Sequence, residues 1–255
     1  QTGYAVDWLK TATILEFDLE DSFGIDIRHI SVVMSVNRGI SNLFIGGLSI
    51  DDLDNAALFA DALKQQNNRL DTLYFERILF SADCLKLIIN ALNDVKSLNT
   101  LSFESINFVS NRNTSAFVPI IASFLKVNRS ITDLSIKTTP SVDDVNPIGQ
   151  VLQNNNSLTR LDLGSNRITS EGVKRLAQAL STNQTLKSLI MDHNRIGKSG
   201  GIALAEGLKY NRVLQELNIS YNHIPKQLRE LQRLNDTMLD IFYLTMNGQW
   251  DDTLP

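Results

Sequence analysis

The chain has 255 residues, 43% of them hydrophobic, with 24 Lys and Arg against 28 Asp and Glu, a net charge of −4. That mild acidity offers no overall basic footprint for nucleic acid. With no apolar run near membrane-spanning length and no charged-then-apolar leader, neither a membrane nor a secretory segment is expected. A chain opening on Gln1 reads as processed or trimmed, and a single cysteine, Cys84, predicts no internal disulfide and a reducing, cytoplasmic setting.

In chain order, short apolar triplets recur: Ile14, Phe17 and Leu19; Ile40, Leu43 and Ile45; Leu70, Leu73 and Phe75; Leu98, Leu101 and Phe103; Ile131, Leu134 and Ile136. Each predicts a short strand whose apolar side chains point inward while the residues between them face out. Apolar stripes at helical spacing lie between the strands. They are Ile27, Ile30, Val33, Met34 and Val36; Leu53, Ala56, Leu58, Phe59 and Leu63; Leu85, Leu87, Ile88, Ala91 and Leu92; Phe117, Val118, Ile121 and Leu125; then Val145, Ile148 and Leu152. The 98-to-131 step exceeds the others by about five residues, and the polar run 109–115 predicts a surface loop there.

The pattern sharpens over residues 158–224. Leu158, Leu161, Leu163, Asn166 and Ile168 return as Leu186, Leu189, Met191, Asn194 and Ile196, then as Leu214, Leu217, Ile219, Asn222 and Ile224, with a step of 28 residues both times. A fixed period of this size signals a stacked repeat architecture. The helical stripes Val173, Leu176, Ala177, Leu180 and Ile202, Leu204, Ala205, Leu208 fall between these lines. Thr169 or Ser170 and Ser199 suit helix starts, while Asn67, Asn128, Asn154, Asn183 and Asn211 follow helix ends. The ninth-position amides of Asn166, Asn194, Asn222 and Asn247 predict a ladder of turn hydrogen bonds. Ser22, Leu48, Ile78, Ile106 and Thr139 hold that place earlier, so a less regular N-terminal half is expected.

The spacing L-x-x-L-x-L-x-x-N-x-L resembles that of leucine-rich repeats, in the helix-containing form of ribonuclease inhibitors and NOD-like receptors. The resemblance implies an α/β horseshoe solenoid of about eight parallel strands on the concave face and helices on the convex face. It implies one domain over 1–255, with irregular repeats at 14–157, regular repeats at 158–224 and a C-terminal cap at 225–255, where Leu239, Phe242, Leu244 and Asn247 give a degenerate last strand.

Residues of catalytic or ligand-holding type are scattered. His29, His193 and His223 lack metal-ligand spacing, and no metal or cofactor is expected. Cys84 stands where later repeats place Gly172 and Gly200, so a small packed thiol is expected there rather than a nucleophile. Six N-x-S/T sequons, at Asn113, Asn128, Asn155, Asn183, Asn218 and Asn235, read as chance matches in an Asn-rich chain.

The residues between the strand leucines carry the functional signal. Glu16, Asp18, Glu20, Glu76, Glu104, Asp133, Asp162, Asp192 and Glu216 form nine acids against Lys137 and Arg160. Phe44, Tyr74, Ile190 and Tyr243 add aromatic and apolar contacts of the kind favoured at interfaces. The expectation is a non-enzymatic, monomeric protein-binding module that meets a basic partner surface and neither nucleic acid nor membrane. Ribonuclease inhibitors grip basic enzymes in a similar way. The irregular early repeats and Asn-rich composition also resemble eukaryotic-like effectors of intracellular bacteria, which would act on a host protein in the host cytosol. Two alternatives remain open: a GTPase regulator of the Ran-activator type, with Arg160 as its stabilising residue, and the recognition part of a larger ubiquitin ligase.

Overall fold

The computed structural model describes residues 12–18, 26–66, 69–109, 115–139 and 142–224. Leu239, Tyr243, Asn247 and the expected cap lie outside these residues, as do Glu20, Ser22, Asn67, most of the 109–115 loop, and sequons Asn113 and Asn235. The described strands and helices alternate. β1 (Ile14–Asp18) precedes α1 (Ile27–Val36), and β2 (Asn42–Gly46) and β3 (Ser49–Ile50) precede α2 (Leu53–Gln65). Then come β4 (Thr72–Glu76), β5 (Leu79–Phe80), α3 (Ala82–Ala91), β6 (Thr100–Glu104), β7 (Asn107–Phe108) and α4 (Phe117–Val127). The chain continues through β8 (Asp133–Lys137), α5 (Asn146–Leu152), β9 (Arg160–Asp162), α6 (Ser170–Leu180), β10 (Ser188–Ile190), α7 (Gly197–Leu208) and β11 (Glu216–Asn218).

Eight strands make one parallel sheet in the order β1-β2-β4-β6-β8-β9-β10-β11, and the helices pack side by side behind it. This is the leucine-rich-repeat solenoid that the resemblance implied, and among the described residues the strand count agrees. A second sheet, β3-β5-β7, runs beside the first in the early repeats and has no counterpart in the sequence reading.

The register moves the first triplet. Leu15 pairs with Leu43 and Phe17 with Ile45, so the residues of β1 in the places of Leu43 and Ile45 are Leu15 and Phe17, where Phe17 and Leu19 were expected; Leu19 lies outside the described residues. Ile14 is 58% exposed. The error is a slip of two residues. Because side chains alternate with period two, that slip leaves Glu16 and Asp18 on the expected face.

The core is a continuous column of strand leucines closed by helix residues. Its N-terminal half is aromatic. Phe75 stacks on Phe103 at 5.5 Å and meets Phe59 and Phe80 edge-on at 6.4 and 5.6 Å, while Phe117 stands edge-on to Phe103 at 5.3 Å. Each such pair adds about 0.5–1.5 kcal/mol beyond its burial. In the C-terminal half the helices approach more closely instead. A Cβ at Gly207 would lie 2.1 Å from the Ala177 carbonyl oxygen, so α7 rests on the backbone of α6. Cys84 is buried and free like a packed small residue, and burial pushes its thiol pKa up.

Some stripe residues face outward. Val36, Leu53, Leu58 and Ile202 are exposed, and their places in the core are taken by Ser31, Ala60, Ala62 and the α7 glycines. Thr169 caps α6 as expected, accepting from Gly172 N. Ser199 lies inside α7, which has Ile196 at its N-cap and no side-chain cap bond. Earlier helices are capped by Asp26, Asp52 and Ser81.

Two asparagine ladders stitch the repeats. In the expected one, Asn194 Nδ2 donates to the Leu163 and Met191 carbonyls at 2.9 and 3.1 Å, and its Oδ1 accepts from Ile168 N at 2.9 Å. Asn166 and Asn222 repeat the scheme. The second ladder follows the helices through Asn128, Asn155, Asn183 and Asn211. Asn183 Nδ2 donates to the Leu152 carbonyl at 2.6 Å, and its Oδ1 accepts from Thr185 N and Leu186 N. Asn155, not Asn154, holds this place in its repeat. Asn155 and Asn183 are buried with their Nδ2 groups donating to the Leu125 and Leu152 carbonyls, which leaves no room for a glycan at two of the sequons.

Candidate functional site

Strand register sorts the inner face into rows. One row runs Glu16, Phe44, Tyr74, Ser102, Ser135, Asp162, Ile190, Asn218. The row toward the strand C-termini runs Asp18, Gly46, Glu76, Glu104, Lys137. The row on the other side carries Asp133, Arg160, Ser188 and Glu216. All the proposed binding residues within the described strands therefore lie on one face, and Asp192 comes two residues after β10.

Phe44 and Tyr74 are neighbours, their ring centroids 5.8 Å apart and tilted by 50°, and both are half-buried. The Tyr74 hydroxyl donates to Glu104 Oε2 at 2.5 Å. Burial first, and the Glu104 carboxylate second, raise its pKa well above the ordinary phenol value, so it remains a donor at neutral pH.

The acids are less free than the sequence count suggested. Arg77 was not counted, because it follows β4 rather than lying within it. It has a left-handed backbone (φ 51°) and turns its guanidinium back over the face. There it meets Asp18 at 2.9 Å and Glu76, across the gap left by Gly46. The strand pattern held no signal for it, because Arg77 lies beyond the alternating residues of β4.

Further along, Asp162 requires a correction. It was expected to face solvent, yet it is 2% exposed, covered by Lys137 at 3.0 Å and Arg160 at 3.3 Å, and it accepts from Gly164 N at 3.0 Å. A carboxylate this buried needs those partners, because an unpaired buried charge is costly. Arg160 also pairs with Asp133 at 3.3 Å. Asp192 contacts His193 Nδ1 at 2.7 Å, and Glu216 accepts from the Ser188 hydroxyl at 2.5 Å. Glu16 has no ion pair among the described residues and is exposed.

No group of three or more His, Cys, Asp or Glu among the described residues is arranged to hold a metal ion. No described helix is long and apolar enough to cross a membrane.

A family model described as "Leucine Rich repeat" matches residues 154–177, 182–205 and 210–224, the stretch that holds every ladder asparagine but Asn128. Among solved structures, leiomodin-1 actin-binding site 2 is 26% identical over 49% of this chain and 72% of its own, with a TM-score of 0.42. An internalin C2 from Listeria monocytogenes is 17% identical and covers 93% of this chain and 82% of its own, with a TM-score of 0.48. No curated protein matches the chain.

Proposed function

We propose that the chain is a non-enzymatic protein-binding module that receives a basic partner surface on the N-terminal part of its inner face. The observation that carries this reading is the half-exposed Phe44–Tyr74 ring pair, set in one row with exposed Glu16 and hydrogen-bonded to Glu104. Rigid aromatic side chains with a polar rim are the usual centre of an interface. The surrounding carboxylates steer a cationic partner and raise its association rate more than its final affinity.

The ion pairs narrow the surface. Asp133 and Asp162 are neutralised within the fold by Arg160 and Lys137, so their part of the face contributes little net field. The acidic contact therefore centres on Glu16 and Glu104 around the rings, with Asp18 and Glu76 sharing Arg77 beside them, and with Asp192, Ile190 and Glu216 as an outlying second contact. Arg160 is held by two carboxylates and would have to leave both to serve as the stabilising arginine of a GTPase regulator, which favours the binding module over that alternative. The free, buried thiol of Cys84 fits action in a reducing compartment such as the cytosol.

The test is affinity capture from a eukaryotic cell lysate, with native protein beside the double variant Phe44→Ala/Tyr74→Ala. A second variant carries Glu16→Lys and Glu104→Gln. The expected result is a basic partner whose affinity falls at least about tenfold in the first variant and which both raised salt and the second variant weaken. Equal, salt-insensitive capture by all three proteins would overturn the reading.

A further inference from the structure

The regular repeats carry a charge balance opposite to that of the inner face. Residues 158–224 contain nine Lys and Arg and five Asp and Glu. One of those bases, Arg160, and three of the acids, Asp162, Asp192 and Glu216, belong to the inner face already described. Eight bases are left against Glu171 and Glu206 on the remaining surface. Glu171 is spent on Lys174.

Part of this excess is ordered by the repeat. Arg167, Arg195 and His223 each follow a ladder asparagine, Asn166, Asn194 or Asn222, and all three are exposed. The stacking itself locks the positions of Arg167 and Arg195. Arg167 N donates to the Val142 carbonyl at 3.2 Å, and Arg195 N donates to the Ile168 carbonyl at 2.9 Å. Thr169 and Arg195 also form a parallel bridge. Successive members of the row are thus one repeat apart, about 5 Å as for neighbouring strands. Lys198 is exposed three residues beyond Arg195. Beside the row, the His193 ring stacks on Tyr221 at 4.1 Å. Among the described residues no carboxylate lies within ion-pair distance of Arg167, Arg195 or Lys198. Like charges held this close without a counter-charge repel one another, and an anionic ligand relieves that repulsion.

We infer that this rim is a docking edge for a short acidic polypeptide segment, separate from the surface around Phe44 and Tyr74. The row spans three repeats, about 10 Å in all, which three to five residues of extended chain cover at about 3.3 Å each. Carboxylates on alternate residues meet Arg167 and Arg195, whose planar guanidinium groups suit bidentate carboxylate contacts. A longer polyanion such as RNA fits less well, because the acids Asp192 and Glu216 lie on the adjoining inner face of the same repeats and repel it as it extends. The partner of this edge is therefore acidic, the opposite of the partner proposed for the inner face.

The experiment is a fluorescence-anisotropy titration of a labelled hexaglutamate peptide. It compares native protein with Arg167→Glu/Arg195→Glu and with Lys86→Glu/Lys126→Glu, which makes the same charge change at exposed residues of α3 and α4. Binding is expected for the native protein, at least tenfold weaker binding for the rim variant, near-native binding for the control, and weakening with salt. Thermal unfolding reports whether each variant folds, and Arg167→Gln/Arg195→Gln replaces the charge reversal if that variant does not. Single-stranded oligouridylate and phosphatidylserine vesicles serve as competing probes. Absence of peptide binding, equal loss in both charge-reversed variants, or preferential binding of the RNA or the vesicles would each overturn the proposal.

Discussion

The early and late repeats solve the same problem in different ways. After each inner strand from β2 to β11 the chain leaves the sheet through a left-handed residue, and the buried backbone groups beyond that turn must find partners. In the late repeats Asn166, Asn194 and Asn222 supply them from a side chain. In the early repeats Leu48, Ile78 and Ile106 stand in that place, and the backbone supplies its own partners through β3, β5 and β7. Leu79 N bonds the Leu48 carbonyl and Asn107 N bonds the Ile78 carbonyl, at 2.8 and 3.0 Å. The two halves therefore differ in how they close the turn. Losing the asparagine removes one hydrogen-bonding device, but an added ladder replaces it, and the vacated place goes to a buried apolar side chain.

The difference can be broken most severely on the aromatic side. Phe75→Ala removes a fully buried ring in contact with three others and is expected to cost about 4 kcal/mol in denaturant unfolding. Because each repeat contacts only its neighbours, loss of amide-exchange protection should concentrate in β2 to β6 and spare β10. Uniform loss across the sheet would show instead that the two halves unfold as one unit.

The asparagine side gives a smaller effect. Asn194→Ala leaves Ile168 N and the Leu163 carbonyl without their side-chain partner, an expected loss of about 2–3 kcal/mol. The reciprocal change, Ile78→Asn, should also destabilise, since the early turn has no buried backbone group waiting for an amide. If Ile78→Asn proved neutral, the two turn devices would be interchangeable and the contrast would be wrong.

The smallest effect tests the first helix. Asp26 caps α1, and the hydrogen bonds it accepts from the Arg28 side chain, outweighing its desolvation, hold its pKa at about 2. Asp26→Ala should cost about 1 kcal/mol at neutral pH. A carboxyl with a depressed folded pKa stabilises above its unfolded value near 3.8 and loses that contribution as pH falls toward 2. The native-to-variant gap in thermal midpoint should therefore narrow between pH 4 and pH 2, and a constant gap would refute the charged cap.

How much of the site was legible varies residue by residue. Period-two alternation puts Phe44 and Tyr74 between the strand leucines, and the structure has them side by side on the inner face of β2 and β4. Asp162 was assigned to the correct strand but with the wrong exposure, since alternation cannot show that Lys137 and Arg160 reach over from their own places. Arg77 was missed because its role comes from a backbone reversal after β4. The second ladder was half seen. Asn183 and Asn211 were noted as following helix ends, but Asn154 was read where Asn155 serves, since adjacent asparagines cannot be told apart without the helix terminus.

The amino-acid sequence by itself determined the repeat, its period, the alternation of strand and helix, and the face on which each strand residue lies. These follow from local spacing, because stacked copies of one pattern admit essentially one arrangement. Only the tertiary structure decided which charges cancel, which turns are closed by backbone rather than by asparagine, and which cations along the rim have no ion pair among the described residues. Those outcomes depend on side chains about 28 residues apart coming within a few ångströms, and such distances are set when the repeats stack.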